Sequence, residues 1–181
     1  MIQDRIEFHI NSVKSAISGK KNCDSIKKAV DRIHITDSSG GTVWVVGNGG
    51  SLAIAQHFAQ DLLKTCGIRS QALNDGSVIT AYSNDAAFSK CHEGPLKILW
   101  RHKKDTLIVF SCSGSSRNVA DLNQHFNPLI AIVGTSGGSM KQSSNICVHV
   151  KSEEYDICET AFSVVADVLI RTIKENRKGN K

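Results

Sequence analysis

The stretch that decides the fold is Thr42-Val-Trp-Val-Val-Gly-Asn-Gly-Gly-Ser51, followed at once by Leu-Ala-Ile-Ala-Gln-His57-Phe-Ala-Gln-Asp61. Its first half is a short apolar run rich in β-branched residues, which predicts a buried strand. A glycine-rich turn follows, and a helical pattern starts at Ser51. A strand that leads through such a turn into a helix gathers unpaired backbone N–H groups, which bind anions and phosphate above all. His57 and Asp61 are four residues apart and therefore share one face of that helix.

The rest of the chain alternates short apolar runs with helical patterns. The runs that predict strands are residues 43–46, 70–73, 107–110, 129–133 and 146–150, and a last helix is predicted over about residues 154–174. Strands that alternate with helices and are apolar on both faces indicate a mostly parallel sheet covered on two sides. Ligands of such sheets bind outside the carboxyl ends of the strands. The Gly- and Ser-rich segments of this chain follow those ends.

Three segments divide the chain. Residues 1–38 are predicted to form two helices that belong to the same folded unit. Ser18-Gly19 ends the first helix, and Asp24 is the predicted N-cap of the second. Residues 39–176 are predicted to form one α/β domain, and residues 177–181 a basic tail.

The composition is that of an ordinary folded domain, with 40% hydrophobic and 22% charged residues, and it excludes a disordered chain. No apolar stretch approaches the ~20 residues of a membrane helix, and no signal-peptide pattern is present. The six cysteines are scattered without a CxxC pair, so we expect reduced thiols in a cytoplasmic protein with no membrane partner. The net charge of +5 is concentrated towards the C-terminus, and we expect that tail to be solvated rather than to bind nucleic acid.

A second candidate phosphate loop follows the third predicted strand and reads Ser111-Cys-Ser113-Gly-Ser115-Ser116. Its hydroxyls and backbone N–H groups, just before a helix that starts near Arg117, can surround a phosphate. Serine-rich turns also cap helices, but four serines in six residues favour phosphate. The first loop has neither the GxGxxG spacing of a dinucleotide site nor the GK[ST] ending of a nucleotide-triphosphate loop. A third loop, residues 134–138, is predicted to be a connecting turn with a supporting role.

Together these segments resemble a sugar-isomerase (SIS) domain, and more narrowly the phosphoheptose (sedoheptulose 7-phosphate) isomerases. The resemblance spans nearly the whole chain, and the segments that carry it are Gly-Asn48-Gly-Gly-Ser51, Ala-Gln-His57-Phe-Ala, Val-Ile-Thr-Ala-Tyr-Ser-Asn-Asp85 and Ser111-x-Ser113-Gly-x-Ser116. It implies a three-layer αβα sandwich with a five-stranded parallel sheet of the flavodoxin-like kind. It also implies a homotetramer whose sites are shared between subunits, with the two helices of residues 1–38 taking part in oligomerisation.

The resemblance further implies a set of site residues and a reaction. Sedoheptulose 7-phosphate would be isomerised to a heptose 7-phosphate through an enediol, with Asp61 and His57 as the catalytic pair. The residues that would bind the sugar phosphate are Asn48, Gly49, Gly50, Ser51, Asp85, Ser111, Ser113, Ser115 and Ser116. Several members also bind zinc near the reacting carbons.

The catalytic positions of this chain depart from the family pattern. Asp61 stands where the family carries Glu, which shortens the reach of the carboxylate by about 1 Å, a difference that can cost about 10²-fold in rate. Cys158 replaces a Gln, and Ala166 replaces a second His. Asp167 is next to Ala166, but one residue of helix rotates a side chain by about 100°, so we expect it to face elsewhere unless the helix shifts register.

Two accounts of the function therefore stay open. In the first the chain is an isomerase in which Asp61 is the base, and His57, Asp61 and Cys158 are candidate zinc ligands, although the sequence requires no cofactor. In the second it is a sugar-phosphate-binding or assembly protein without catalysis.

Several of these residues also have an alternative interpretation in which they play a structural role only. His57 would be a core histidine, Cys158 a small buried apolar residue, and Asp61 a surface partner of Lys64. Asp85 would cap the turn that starts at Asn84. The remaining histidines, which we expect to be solvated, are His9, His34, His92, His102, His125 and His149. For His92, which lies seven residues after Asp85, a place in the site is the alternative.

Overall fold

The structure is a computed structural model that describes residues 1–179. Its helices are α1 (Ile2–Ile17), α2 (Lys20–Ser38), α3 (Gly49–Lys64), α4 (Gly76–Asp85), α5 (Glu93–Leu99), α6 (Arg117–Ala120), α7 (Met140–Ser143) and α8 (Tyr155–Gly179). Its strands are β1 (Val43–Val46), β2 (Ser70–Ala72), β3 (Thr106–Ser111), β4 (Leu129–Val133) and β5 (Ile146–His149). None of the helices in this described part of the chain is long and apolar enough to cross a membrane.

The five strands form one parallel sheet in the order β2-β1-β3-β4-β5, which confirms the predicted flavodoxin-like sheet. In β1, Val45 pairs with Ala72 on one side and with Ile108 on the other. After β2 the chain crosses back over β1 to form β3, so the strand order reverses between β1 and β3. The carboxyl ends of these two strands therefore border a crevice, which is where ligands bind in open α/β sheets.

Alternate side chains of each strand enter two separate cores, because successive residues of a strand point to opposite faces. Val45 and Ile108 pack with apolar residues of α1, α2, α3 and α8. Trp44 and Val109 pack on the other face with residues of α5, α6 and α7. The predicted three-layer αβα sandwich is thus confirmed.

Helix boundaries differ from the predictions at three places. The second helix begins at Lys20 after Gly19, so Asp24 lies inside α2 and the predicted N-cap is wrong. Helix α3 begins at Gly49, two residues before the predicted start. Helix termini are the part of an element that local sequence signals determine least closely.

The last helix is longer at its C-terminal end than its apolar pattern indicated. Residues 177–179 of the predicted basic tail continue α8. Residues 180 and 181 of that tail lie outside the described residues. The guanidinium of Arg177 donates to the Cys66 carbonyl and to the Asp37 carboxylate. These two contacts attach the end of α8 to α2 and to the segment after α3.

Candidate active site

The first loop connects β1 to α3 and is joined to the rest of the crevice by an amide pair. Asn48 is the N-cap residue of α3, yet its side chain makes no capping hydrogen bond. Instead the Asn48 and Asn118 side chains donate to each other's Oδ1, at 2.9 and 2.7 Å. Asn118 is buried in α6, which follows β3. The pair thus connects the loop after β1 to the helix that follows β3. No sequence signal around Asn118 predicted this contact.

In the serine loop, residues 111–116, backbone N–H groups donate to hydroxyl groups of the same loop. The Gly114 N–H donates to Ser111 Oγ at 3.1 Å, and the Ser115 N–H donates to Ser113 Oγ at 3.2 Å. Ser113 Oγ and Ser116 Oγ lie 3.5 Å apart. Ser111 is buried, Ser113 and Ser116 are half-buried, and Ser115 is exposed. The Ser113 and Ser116 hydroxyls therefore lie side by side, and both can donate to a bound oxyanion.

The third loop, residues 134–138, packs directly against the serine loop. Gly114 has a φ of +61°, and a Cβ built on it would lie 2.0 Å from the Gly137 carbonyl oxygen. The Met140 N–H donates to the Gly114 carbonyl at 3.3 Å. The backbones of the two loops thus touch, which agrees with the predicted supporting role.

A carboxylate of α8 lies against the first loop. Ser51 Oγ donates to Glu159 Oε1 at 3.4 Å, and a Cβ on Gly50 would come within 2.4 Å of Glu159 Oε2. The N-terminus of α3, which favours anions, is therefore already occupied by a protein carboxylate. Sequence reasoning assigned no role to Glu159, although it directly follows Cys158 in the segment that departs from the family pattern.

Two buried thiols lie behind these loops. Cys112 Sγ is 3.8 Å from Ser51 Oγ, and burial raises the pKa of the Cys112 thiol to about 11. Burial likewise raises the pKa of Cys158, whose Sγ donates to the Ser152 carbonyl at 3.3 Å. Both side chains are therefore neutral thiols near pH 7 and add no negative charge beside a phosphate. The placement of Cys158 agrees with the interpretation as a small buried residue.

His57 and Asp61 lie together on α3, as their spacing predicted. His57 Nε2 is 3.4 Å from Asp61 Oδ2, and the two side chains are 71% and 24% exposed. The interpretation of His57 as a core histidine is therefore wrong. Asp61 also accepts a long hydrogen bond of 3.5 Å from Thr65 Oγ1, and among residues 1–179 its ion-pair partner is His57 rather than Lys64.

The pair borders a cleft of about 270 Å³ between α3 and α8. The residues that line it are Ala53, Ile54, His57, Phe58 and Asp61 from α3, and Ser163, Ala166, Asp167 and Ile170 from α8. The expectation that Asp167 faces elsewhere is thus wrong. The four lining residues of α8 have the i, i+3, i+4, i+7 spacing of a single helix face. The whole of that face, including Asp167, borders the cleft.

The predicted zinc ligands are not brought together within one chain. Cys158 lies eight residues before Ala166, which is about 12 Å along α8 from the cleft. Its Sγ instead donates to the Ser152 carbonyl at 3.3 Å. Across residues 1–179, no three His, Cys, Asp or Glu side chains are grouped so that they could hold a metal ion. The set of His57, Asp61 and Cys158 therefore does not fit zinc within one chain.

Asp85 and His92 complete the list of predicted polar residues. Asp85 is the last residue of α4; it is exposed, and its Oδ1 accepts from the Asn84 side chain at 2.9 Å. His92 is only 1% exposed, so the prediction that it is solvated is wrong. Its ring lies near the Gly47 carbonyl, but neither nitrogen makes a hydrogen bond of normal geometry, and burial lowers its pKa to about 4. The remaining histidines are half-buried or exposed.

Comparison with known proteins agrees with this fold. The SIS domain family matches residues 9–137. The phosphoheptose isomerase of Helicobacter pylori (strain P12) is 31% identical over 168 residues, which cover 85% of this chain and 86% of the relative. The chain belongs to the SIS domain family, among its phosphoheptose isomerases.

Further members of the family give the same result. The phosphoheptose isomerase of Syntrophotalea carbinolica is 31% identical over 157 residues, covering 81% of this chain and 80% of that one. The structure of the phosphoheptose isomerase from Neisseria gonorrhoeae superposes with a TM-score of 0.83 at 25% identity and covers 96% of this chain and 99% of its own. Within this SIS domain, two of the three departures from the family pattern, Asp61 and Ala166, border the cleft. The third, Cys158, is buried behind the loops.

Proposed function

We propose that this chain is an aldose–ketose isomerase that converts sedoheptulose 7-phosphate into a heptose 7-phosphate. The observation that carries the proposal is the course of α3, which begins at the loops of the crevice and bears the His57–Asp61 pair at the cleft. His57 lies seven residues after Gly50, which is about 10 Å along the helix. A sugar phosphate extended along α3 would thus have its phosphate at the loops and its C1–C2 end at the pair. The relatives named phosphoheptose isomerases support the same substrate.

The phosphate is assigned to the serine loop rather than to the start of α3. Glu159 already places a carboxylate against Gly50 and Ser51, and a phosphate dianion in the same place would be repelled by it. The Ser113 and Ser116 hydroxyls, which contact each other at 3.5 Å, can instead donate to the phosphate oxygens. The loop residues that hold the phosphate in this proposal are Ser111, Ser113, Ser115 and Ser116.

The first loop and α4 would then contact the sugar. Asn48, Gly49, Gly50 and Ser51 border the path from the serine loop to the cleft. Asp85 would accept hydrogen bonds from sugar hydroxyls, for which its exposed carboxylate is available.

The His57–Asp61 pair supplies the chemistry at carbon. The reaction moves a proton from C1 to C2, and Asp61 acts as the base that removes it from C1 and returns it to C2. Nε2 of His57, 3.4 Å from the Asp61 carboxylate, holds that carboxylate in position and can donate to the substrate carbonyl. Both side chains reach solvent through the cleft, so the substrate can approach them.

Solvent deuterium tests the proposal. Purified protein is incubated with sedoheptulose 7-phosphate in deuterium oxide, and NMR follows deuterium entering C1 or C2. We expect incorporation with the native chain and a loss of about 10²-fold or more with Asp61→Asn. Asp31→Asn, which changes an exposed carboxylate of α2, is the matched control. Absence of incorporation at high protein concentration would refute the isomerase.

A binding protein without catalysis is the second candidate, and Ala166 is the observation in its favour because it removes one acid–base group from the cleft. Both candidates predict that sugar phosphates raise the melting temperature through the serine loop and that Ser113→Ala weakens the effect. Only the isomerase predicts deuterium incorporation. A melting shift without incorporation therefore identifies a binding protein, and absence of both results refutes the sugar-phosphate site itself.

We also propose the assembly and location that the family resemblance implies. The apolar residues Ile2, Ile6 and Ile10 recur along α1 and are 69%, 48% and 60% exposed, which suits burial in a homotetramer. Sedimentation equilibrium tests this, and a monomer at micromolar concentration would contradict it. All six cysteines are unpaired, in keeping with the reducing cytoplasm.

A further inference from the structure

The α3 side of the cleft between α3 and α8 contains one half of the acid–base apparatus that an isomerisation needs. While a base moves the proton between the carbons, a second group has to move a proton between the two oxygens. Asp61 and His57 both stand on the α3 side of the cleft. On the α8 side, the position where the family pattern has a histidine is Ala166, whose methyl group cannot transfer a proton.

Asp167 lies on that α8 side. It is exposed, and it lines the cleft together with Ser163, Ala166 and Ile170. Among the described residues that line the cleft, it is the one ionisable group contributed by α8. Ser163 is the other polar residue there, and a hydroxyl is a far weaker base than a carboxylate.

The geometry also leaves room for a substrate between the two walls. His57 lines the cleft from α3 and Asp167 lines it from α8, and no ion pair within 4.0 Å joins them in the described chain. The cleft has a volume of about 270 Å³, and the small side chain of Ala166 is part of its lining. A sugar end that enters the cleft would therefore have Asp61 on one side and Asp167 on the other.

We propose that Asp167 is the second acid–base residue of this isomerase, in place of the histidine that the chain lacks at Ala166; this inference rests on the proposed function. Asp61 removes a proton from C1, the electron pair forms the C1–C2 double bond, and the C2 carbonyl oxygen takes up the negative charge of an enediolate. The Asp167 carboxylate takes the proton from the C1 hydroxyl and passes it to the C2 oxygen, which moves the negative charge to the C1 oxygen. Asp61 then gives its proton to C2 as the C1 carbonyl forms, so that both carboxylates regain their starting state and no atom or electron is gained or lost.

Kinetics of Asp167→Asn test the assignment. The substitution keeps the size of an exposed side chain, so the fold and the phosphate contacts should stay unchanged. We expect kcat to fall by about 10²-fold or more, with KM and the sugar-phosphate melting shift close to those of the native chain. Glu175→Gln removes an exposed carboxylate two turns further along α8, outside the cleft, and should leave kcat unaltered.

The inference is overturned if Asp167→Asn keeps kcat within about threefold of the native value. It is equally overturned if KM rises while kcat holds, because that pattern indicates a binding contact. The double variant Ala166→His with Asp167→Asn should recover at least about tenfold of the lost kcat, and a folded double variant without recovery counts against an acid–base role. If the double variant does not fold, the single variant decides. A native chain without turnover refutes the proposed function itself, whereas an active native chain with an active Asp167→Asn refutes only this assignment.

Discussion

Gly114→Ala is the substitution that best tests how the serine loop is held. Gly114 has a φ of +61°, in the left-handed region where a Cβ costs about 1–2 kcal/mol. The added Cβ would also lie 2.0 Å from the Gly137 carbonyl oxygen and 3.2 Å from the Gly138 nitrogen. These are backbone atoms of the third loop, so the clash is relieved only if the two loops move apart.

The expected loss of stability follows from these two effects. Overpacking of a close contact costs about 1–3 kcal/mol, which with the backbone strain makes about 2–5 kcal/mol. For a chain of this length each kcal/mol lowers the melting temperature by about 2–4 °C. We therefore expect Gly114→Ala to melt roughly 4–20 °C lower. Because Ser113 and Ser116 belong to the displaced loop, the variant should also lose the melting shift caused by sedoheptulose 7-phosphate.

Gly40→Ala is the matched control, because Gly40 has a φ of +67° but nothing lies within 4 Å of a Cβ built there. It should lose only the strain of about 1–2 kcal/mol and keep the ligand-induced shift. Calorimetry of the two variants with and without ligand separates the strain from the clash. If Gly114→Ala is as stable as Gly40→Ala, or keeps the ligand shift, the contact between the loops is not what positions the serines.

Two further predictions concern buried or opposed charges. Burial lowers the pKa of His92 from its ordinary value of 6.5 to about 4. As the pH falls from 6.5 to 4, the unfolded chain therefore binds a proton that the folded chain does not. The free energy of unfolding falls by about 3 kcal/mol over this range. Urea unfolding at pH 7.5 and 4.5 should show this loss in the native chain and a smaller one in His92→Phe; equal losses would show that His92 is not the titrating group. Glu159→Gln removes the carboxylate beside Ser51 and should tighten binding of inorganic phosphate by about three- to tenfold, corresponding to roughly 1 kcal/mol of repulsion. Calorimetric titration measures it against Glu175→Gln, and an unchanged affinity would show that Glu159 exerts no repulsion on a phosphate held by the serine loop.

Much of the site could be predicted because its parts are local in sequence. The run at residues 43–46 identified β1 through its β-branched residues and Trp44, and parallel strands place the loops that follow them at one edge of the sheet. The four-residue spacing of His57 and Asp61 put both on one helix face, which the structure shows at 3.4 Å. The placement of Cys158 and Asp167 could not be predicted in this way, because it depends on how α8 is rotated against α3.

The sequence by itself therefore determined the sheet, the loops at its carboxyl ends and the His57–Asp61 pair, since strand and helix periodicity act over a few residues. Only the tertiary structure decided what faces these groups. The packing of α8 on α3 places Glu159 against Gly50, buries Cys158 and brings Asp167 to the cleft. These residues lie about a hundred positions from their neighbours on α3, and no local pattern encodes the rotation or the crossing of two helices. Those two quantities come from the fit of the whole core, and they determine which side chains meet in the cleft.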